Sequence, residues 1–118
     1  MSYTTLSVEE HDQVKILEIL ERRIFLQVTD KFRNELLAEI DKDTNQIIVD
    51  LTKVSVMNSA GLGVLLQAHD KIKQRTGRLI ITGLQPVMQD IFRRMKLDSF
   101  FEVCKDKEEG LQKFRGNK

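Results

Sequence analysis

The residues with the clearest chemical potential lie in one short stretch, VMNSAGLG, at positions 56–63. This stretch places Ser59 between a strongly apolar run, IIVDLTKVSV, and a run with helical periodicity, VLLQAHDKIK. A serine at a strand-to-helix transition has four possible roles: a catalytic nucleophile, part of a phosphate cradle, a phosphorylation acceptor or a helix cap. Its neighbours in the sequence discriminate among them.

The nucleophile role is disfavoured by the residues around Ser59. An esterase-type turn requires Gly-x-Ser-x-Gly because its strained backbone tolerates only small residues on both sides, and Met57 occupies the first glycine position. The base of a triad would have to be one of two histidines. His69 lies ten residues along the same predicted helix, about 15 Å away at 1.5 Å per residue, and His11 lies in a polar connection. We therefore expect no enzymatic activity.

A nucleotide-binding role has equally weak support. Gly61 and Gly63 supply two glycines of a dinucleotide fingerprint, but Leu66 occupies the third position and no Gly-Lys-Ser/Thr is present. These glycines have a simpler explanation, because they would let the helix start lie close to the sheet or leave its face bare for a partner. Asn58 and Ser59 are both good N-caps, so a cap is the role that the residues alone favour most.

Composition and charge argue against several classes of function. Nineteen Lys and Arg against eighteen Asp and Glu give a net charge of +1, which is too balanced for the phosphate attraction that nucleic-acid binding requires. Cys104 is the single cysteine, and no histidine lies near it in sequence, so we expect no disulfide, metal or cofactor. Neither a signal-peptide pattern nor an apolar run of about eighteen residues occurs. We expect a cytoplasmic protein that binds neither nucleic acid nor membrane.

The elements that position this stretch alternate between strands and helices, and the 118 residues suffice for one domain spanning residues 1–118. Apolar and β-branched runs predict strands at five places: 3–8, 14–20, 46–51, 78–82 and 100–103. The polar EEHDQ between the first two predicts a hairpin at the start of the sheet. The run 46–51 is apolar on both faces, as in a central strand, and 24–28 is ambiguous.

Helical periodicity fills the intervals between these strands. The first helix follows an N-cap at Thr29 or Asp30, and the second begins in the quoted stretch and stops at Gly77. A third has Pro86 near its start, and a fourth opens on a capping box at Asp106. The apolar positions marking the four faces are, in order, Phe32, Leu36, Leu37, Ile40; Leu62, Leu65, Leu66, Ile72; Val87, Ile91, Met95; and Leu111, Phe114. This alternation predicts an α/β fold with a mixed, mostly parallel sheet and about four helices packed on it.

Two long segments carry a resemblance to a known family. The segment IIVDLTKVSVMNSAGLGVLLQAHDKIK combines an apolar strand, Asp-Leu, a Val-Ser-x-Met link and a helix start similar to Asp-Ser-Ser/Thr-Gly-Leu-Gly-x-Leu-Leu. The segment GRLIITGLQPVMQDIFRRMKLDSFFEV follows with a strand, a Gly-x-x-Pro-x-Val-x-x-x-Phe helix and a Leu-x-x-x-Phe ending. Over residues 47–103 the chain resembles the STAS family, specifically the bacterial anti-sigma factor antagonists.

The resemblance implies a single STAS-type domain that acts as a non-catalytic phospho-switch. In that family the serine after the acidic residue is phosphorylated by an anti-sigma factor that is also an ATP-dependent serine kinase, and a PP2C-type phosphatase reverses this. The matching residue here is Ser59. The unphosphorylated antagonist binds the kinase and frees the sigma factor, whereas the phosphorylated form lets go. The implied partner surface comprises Phe25, Met57, Asn58, Ser59, Ala60, Gly61 and Leu62.

Four residues depart from the family pattern. Asn58 replaces the usual aspartate, Ala60 replaces a second hydroxyl residue, and the early Gly-Glu/Arg-Leu/Ile-Asp pattern reads RRIF, with Arg22 for the glycine and Phe25 for the acid. The site is therefore less negative than the family's, and Ser59 is the only hydroxyl acceptor of the motif. Phe25 is either an exposed apolar anchor for a partner or a core aromatic, and its spacing leaves both open.

The departures also leave a second function open. The same fold would serve as an interaction module in a partner-switching or signalling assembly whose output is not a sigma factor. In its limiting form such a module binds constitutively, and Ser59 is only a helix cap.

Overall fold

Alternating apolar residues build a central sheet and a small accessory sheet. The computed structural model describes residues 3–116. Its strands, in chain order, are β1 (Leu6–His11), β2 (Val14–Ile19), β3 (Arg23–Ile24), β4 (Gln46–Asp50), β5 (Val56–Met57), β6 (Arg78–Thr82) and β7 (Glu102–Cys104). The central sheet has the order β1-β2-β4-β6-β7, with β1 antiparallel to β2 and the later pairs parallel. Strands β3 and β5 pair in parallel separately.

Four α-helices cover the two faces of the central sheet. They are α1 (Gln27–Ile40), α2 (Ser59–Gln74), α3 (Pro86–Arg94) and α4 (Lys107–Phe114), and a 3₁₀ turn spans Leu97–Ser99. Helices α1, α2 and α3 share one large apolar cluster with one face of the sheet, while α4 packs on the opposite face. The predicted α/β architecture, mostly parallel and with four helices, is confirmed, and β4 is the central strand.

The first hairpin is tighter than its polar sequence indicates. Strand β1 continues through the acidic residues to His11, and only Asp12 and Gln13 form the turn. Both have positive φ, 52° and 69°, which is the backbone of a two-residue turn whose twist matches the flanking strands. The predicted five-residue connection EEHDQ is therefore wrong, because β1 is an edge strand whose charged side chains remain in solvent.

Two helix boundaries also differ from the predictions. Helix α1 begins at Gln27 after Leu26, so neither Thr29 nor Asp30 is its N-cap. Helix α2 ends before Thr76, which takes the left-handed conformation (φ 56°) expected of Gly77. A Cβ on Gly77 would lie 2.7 Å from the backbone oxygen of Asn45, so this glycine is required for close packing rather than for the turn.

The predicted face of α3 is displaced by one position. Met88 and Phe92 are its buried residues, whereas Val87 and Met95 are 55% and 52% exposed. Only Ile91 of the predicted face packs against the core. The chain then passes through the 3₁₀ turn, so that β7 starts two residues later than predicted.

None of the helices within 3–116 has the length and apolar character needed to cross a bilayer.

Candidate functional site

The stretch around Ser59 is positioned by β5, which leads directly into α2. Backbone pairing places Met57 opposite Ile24 of β3, and the amide of Asn58 donates to the Ile24 carbonyl at 2.9 Å. Asn58 itself has extended backbone angles, so the chain changes from strand to helix at a single residue. The start of α2 is therefore fixed against the end of β3.

Asn58 is the N-cap of α2 and also connects two helix starts. Its Oδ1 accepts a hydrogen bond from the Gly61 amide at 2.7 Å, which satisfies one of the unpaired first-turn donors. Its Nδ2 donates to Thr29 Oγ1 at 3.2 Å, inside the first turn of α1. The prediction of an Asn58 cap is confirmed, while the role of Thr29 was not predicted because nothing in the sequence indicates which helices begin side by side.

Ser59 is the first residue of α2 and is exposed. Because Asn58 is the cap, Ser59 is not needed as one, and its hydroxyl faces solvent. The amides of Ser59 and Ala60 precede the first hydrogen bond within the helix, which the Leu62 amide donates to the Asn58 carbonyl. The first turn of α2 contains no acidic residue. The site is thus an accessible hydroxyl at the positive end of a helix dipole.

The two glycines of the motif have different structural roles. A Cβ on Gly61 would lie 2.4 Å from Met57 Cγ and 3.0 Å from Ile24 Cγ2, whereas one on Gly63 would meet nothing within 4 Å. Gly61 therefore allows α2 to lie close against β5 and β3. Gly63 leaves the outer face of the first turn bare, so each of the two expected roles belongs to one glycine.

The predicted partner surface divides into exposed and buried residues. Met57, Gly61 and Leu62 are buried and support the surface from below, while Ser59 and Ala60 are exposed and Asn58 is half-buried. Contact of these residues with a partner stays a prediction. Of the six, the exposed Ser59 and Ala60 and the half-buried Asn58 are the ones that a partner can reach in the free chain.

Phe25 belongs to the exposed part, at 36% exposure, so it is not the core aromatic of the alternative interpretation. The neighbouring Leu26 is 72% exposed. Leu26 was not predicted, because an apolar residue beside a strand normally indicates the core.

The histidine on α2 is engaged elsewhere. The His69 ring lies 4.6 Å from the Phe100 ring and 5.2 Å from the Phe101 ring, measured between centroids. Burial against these rings, with the nearby Lys73 charge, lowers the pKa of His69. This arrangement gives no support to a Ser59–His69 pair. Nor do the described residues 3–116 contain a group of three or more His, Cys, Asp or Glu side chains placed to hold a metal ion.

Fold and site together define a class: an α/β domain with an exposed serine at a capped helix start. The family model of the STAS domain matches residues 5–110. The chain therefore belongs to the STAS domain family, as the resemblance indicated. A relative classed as an anti-sigma factor antagonist, BtrV of Bordetella bronchiseptica, is 30% identical over 81 residues, which are 69% of this chain and 70% of BtrV.

Solved structures show the same fold. An anti-sigma factor antagonist from Mycobacterium paratuberculosis superposes with a TM-score of 0.84 at 22% identity, covering 94% of this chain and 93% of that one. The Bacillus cell fate determinant SpoIIAA in its phosphorylated form gives 0.68 at 18% identity, covering 92% and 98%. At these identities the likeness concerns the fold.

Proposed function

We propose that this chain is a non-catalytic anti-sigma factor antagonist that binds an anti-sigma factor with serine kinase activity while Ser59 is unphosphorylated, and releases it after phosphorylation. The observation that carries the proposal is the exposed Ser59 hydroxyl at the first residue of a helix capped by its neighbour. The STAS domain and a relative classed as an anti-sigma factor antagonist support it. A PP2C-type phosphatase would restore the binding form, and all three proteins would act in the cytoplasm.

The start of α2 suits a phosphate group. Phosphorylation adds a charge of about −1.5 to −2, and a helix N-terminus offers open amides and a favourable dipole to an anion. Here those amides belong to Ser59 and Ala60, and no carboxylate lies in the first turn. Asn58 is neutral, so it does not repel the phosphate. The chain therefore accommodates the modification without refolding.

A docked partner would not accommodate the same charge. Burying a dianion against a packed interface costs several kcal/mol in lost hydration, whereas a micromolar complex has a total binding free energy of only about −8 kcal/mol. A penalty of about 3 kcal/mol weakens such a complex by about two orders of magnitude. Phosphorylation thus acts at the interface and not through a change of fold.

Phosphorylation is tested directly with a purified candidate anti-sigma factor kinase from the source organism. Incubation of the purified chain with that kinase and ATP is expected to add one phosphate, seen by intact mass, and peptide mapping is expected to place it on Ser59. The Ser59→Ala variant is expected to remain unmodified. A phosphate located elsewhere, or none, would contradict the proposal.

The charge switch is tested by binding. We expect Ser59→Ala to bind the kinase like the wild type and Ser59→Asp to bind at least about tenfold more weakly, a loss of about 1.4 kcal/mol. Gln67→Glu is the matched control, since it adds the same charge at an exposed position two turns along α2, and it is expected to bind normally. Equal affinities for the Ala and Asp variants are incompatible with the switch.

A second candidate function is a STAS interaction module whose output is not a sigma factor. The neutral Asn58 and apolar Phe25 favour it, because they stand where the family pattern has acids. In its constitutive form, this module would bind its partner tightly whether position 59 is Ser, Ala or Asp, and no kinase would modify it. The two preceding experiments separate the candidates.

A further inference from the structure

Leu26 has a backbone conformation that favours glycine. Its angles are φ 57° and ψ −137°, a region that side chains with a Cβ rarely adopt. The residue precedes α1 without capping it by a side chain, and its carbonyl accepts the Thr29 amide at 3.0 Å. The turn geometry alone would therefore be better served by glycine than by leucine.

Packing in the core does not explain why a leucine occupies this position either. At 72% exposure, Leu26 is the most exposed large apolar side chain among the described residues, and it follows the exposed Phe25. Two consecutive apolar side chains thus project into solvent from a strained turn. Strain of this kind persists where the surrounding structure holds it, and it concentrates at binding sites.

The strained turn adjoins Ser59. The Ile24 carbonyl, immediately before Phe25, accepts the Asn58 amide at 2.9 Å. Thr29, three residues after Leu26, accepts from the Asn58 side chain at 3.2 Å. Hydrogen bonds to Asn58 therefore hold both ends of the Phe25–Leu26 turn against the start of α2.

The border of this turn is cationic. Residues 20–33 contain four Lys or Arg and two Asp or Glu, and one of those acids, Asp30, is already paired with Arg33 at 2.9 Å. Arg22 and Arg23 are exposed, and within the described residues neither has a carboxylate within 4.0 Å. A surface with an apolar centre and free guanidinium groups matches a partner with an apolar groove and an acidic border.

We infer that Leu26, together with Phe25, is the apolar anchor of the docking surface, and that the partner receives it in an apolar groove bordered by acidic side chains. This rests on the function proposed above and adds the partner's chemistry. Phosphate at Ser59 would then face the partner's own carboxylates, so repulsion is added to the cost of burying the dianion.

Two substitutions at one position separate the side chain from the backbone. Leu26→Ala removes the side chain and keeps the strain, whereas Leu26→Gly removes both. Both variants are expected to lose about thirtyfold or more in affinity for the same purified kinase, as for the centre of an interface. Leu26→Gly is expected to have a higher thermal midpoint than Leu26→Ala, because glycine relieves the backbone strain at this position.

The control removes an exposed apolar group from a remote place. Val8, 38% exposed, lies on β1 and borders a cleft with Lys42, beyond the C-terminal end of α1. The Leu26 turn precedes the other end of this 14-residue helix, which is about 20 Å long. Val8→Ala is expected to bind normally.

The acidic border is tested by charge reversal. Arg22→Glu with Arg23→Glu is expected to slow association by about tenfold or more at low salt, and the difference from wild type should shrink as salt is added. Association that is unchanged by this double substitution at low salt would overturn the acidic border.

The possible failures are distinguishable from one another. If Ser59→Asp weakens binding while both Leu26 variants bind like the wild type, the anchor is refuted and the proposed function stands. If the wild-type chain does not bind the kinase at all, both are refuted. Loss of affinity in both Leu26 variants, with normal binding by Val8→Ala, supports the anchor.

Discussion

At the scale of single residues, Asn58 shows how a neutral side chain serves a position that is acidic in the family pattern. A carboxylate would cap α2 equally well, because only an acceptor is needed for the Gly61 amide. The Asn58 amide nitrogen donates to Thr29 Oγ1, whereas a carboxylate at this position would have to accept from that hydroxyl. Asn58 therefore keeps both the cap of α2 and a hydrogen bond to α1 without placing a negative charge beside Ser59.

We predict that Asn58→Ala lowers the free energy of unfolding by about 1–2 kcal/mol, since it removes the cap and the bond to Thr29. Asn58→Asp should retain most of this stability because it still caps and complements the helix dipole. Urea unfolding of the two variants measures the difference. If Asn58→Ala were as stable as the wild type, the cap would contribute nothing.

At the scale of elements, the first turn of α2 depends on close contact with the small β3–β5 sheet. The absence of a side chain at Gly61 sets the distance between them, and Met57 and Ile24 fill the space that a Cβ would take. The position of Ser59 relative to Phe25 thus depends on a glycine that lies beneath the surface.

Alanine at the two glycines should have opposite effects. Gly61→Ala is expected to cost about 1–3 kcal/mol, because the helix must move away from Met57. Gly63→Ala is expected to stabilise by about 0.5–1 kcal/mol, since alanine is the better helix former and nothing lies within 4 Å. Thermal unfolding of the pair provides the comparison. Equal stabilisation by both would show that helix propensity and not packing decides.

Much of this architecture was predictable from periodicity and caps. The alternation of strands and helices fixed the fold class, and local signals placed the cap at Asn58, proline at the start of α3, and the α4 cap, where Asp106 accepts from the Glu109 amide at 3.0 Å. Each of these features depends only on residues that are close together in the chain, so it can be predicted from the sequence.

The remaining features depend on contacts between distant segments. Strands β3 and β5 are two residues each, too short for a periodic signal, and they exist because they pair. The strained Leu26 and the outward Phe25 are likewise set by Asn58 and Thr29 across the gap between α1 and α2. The solvent exposure of Phe25, Leu26 and Ser59 could therefore be established only from the folded structure.

At the scale of the whole molecule, a buried ion pair joins the sheet to the helical layer. Lys15 Nζ on β2 lies 2.6 Å from Glu39 Oε2 on α1, and both side chains are almost fully buried. The Tyr3 hydroxyl donates to the other carboxylate oxygen at 2.8 Å. Burial works to raise the pKa of Glu39, but hydrogen bonds from Lys15, Tyr3 and Lys42 outweigh it and hold the pKa below its ordinary value.

The sign of this shift predicts acid sensitivity. Because the folded-state pKa of Glu39 is depressed, its contribution is complete above the unfolded value of about 4.3 and is lost as the pH falls through the folded value. Glu39→Gln is expected to cost about 3–5 kcal/mol at pH 7, because Lys15 is left without a counter-charge, and less at pH 4. Unfolding of both proteins at the two pH values tests this. A gap that widens in acid would contradict it.

The strand order has a consequence for how the chain assembles. Each strand of the central sheet pairs with the strand that precedes it in that sheet, from β1 through β7. A chain emerging from the ribosome can therefore add every new strand to an open border, and no strand has to be threaded between two that are already joined. Until the next strand pairs with it, the growing edge of the sheet has unpaired backbone groups, and this is the edge at which nascent chains are most liable to associate with one another.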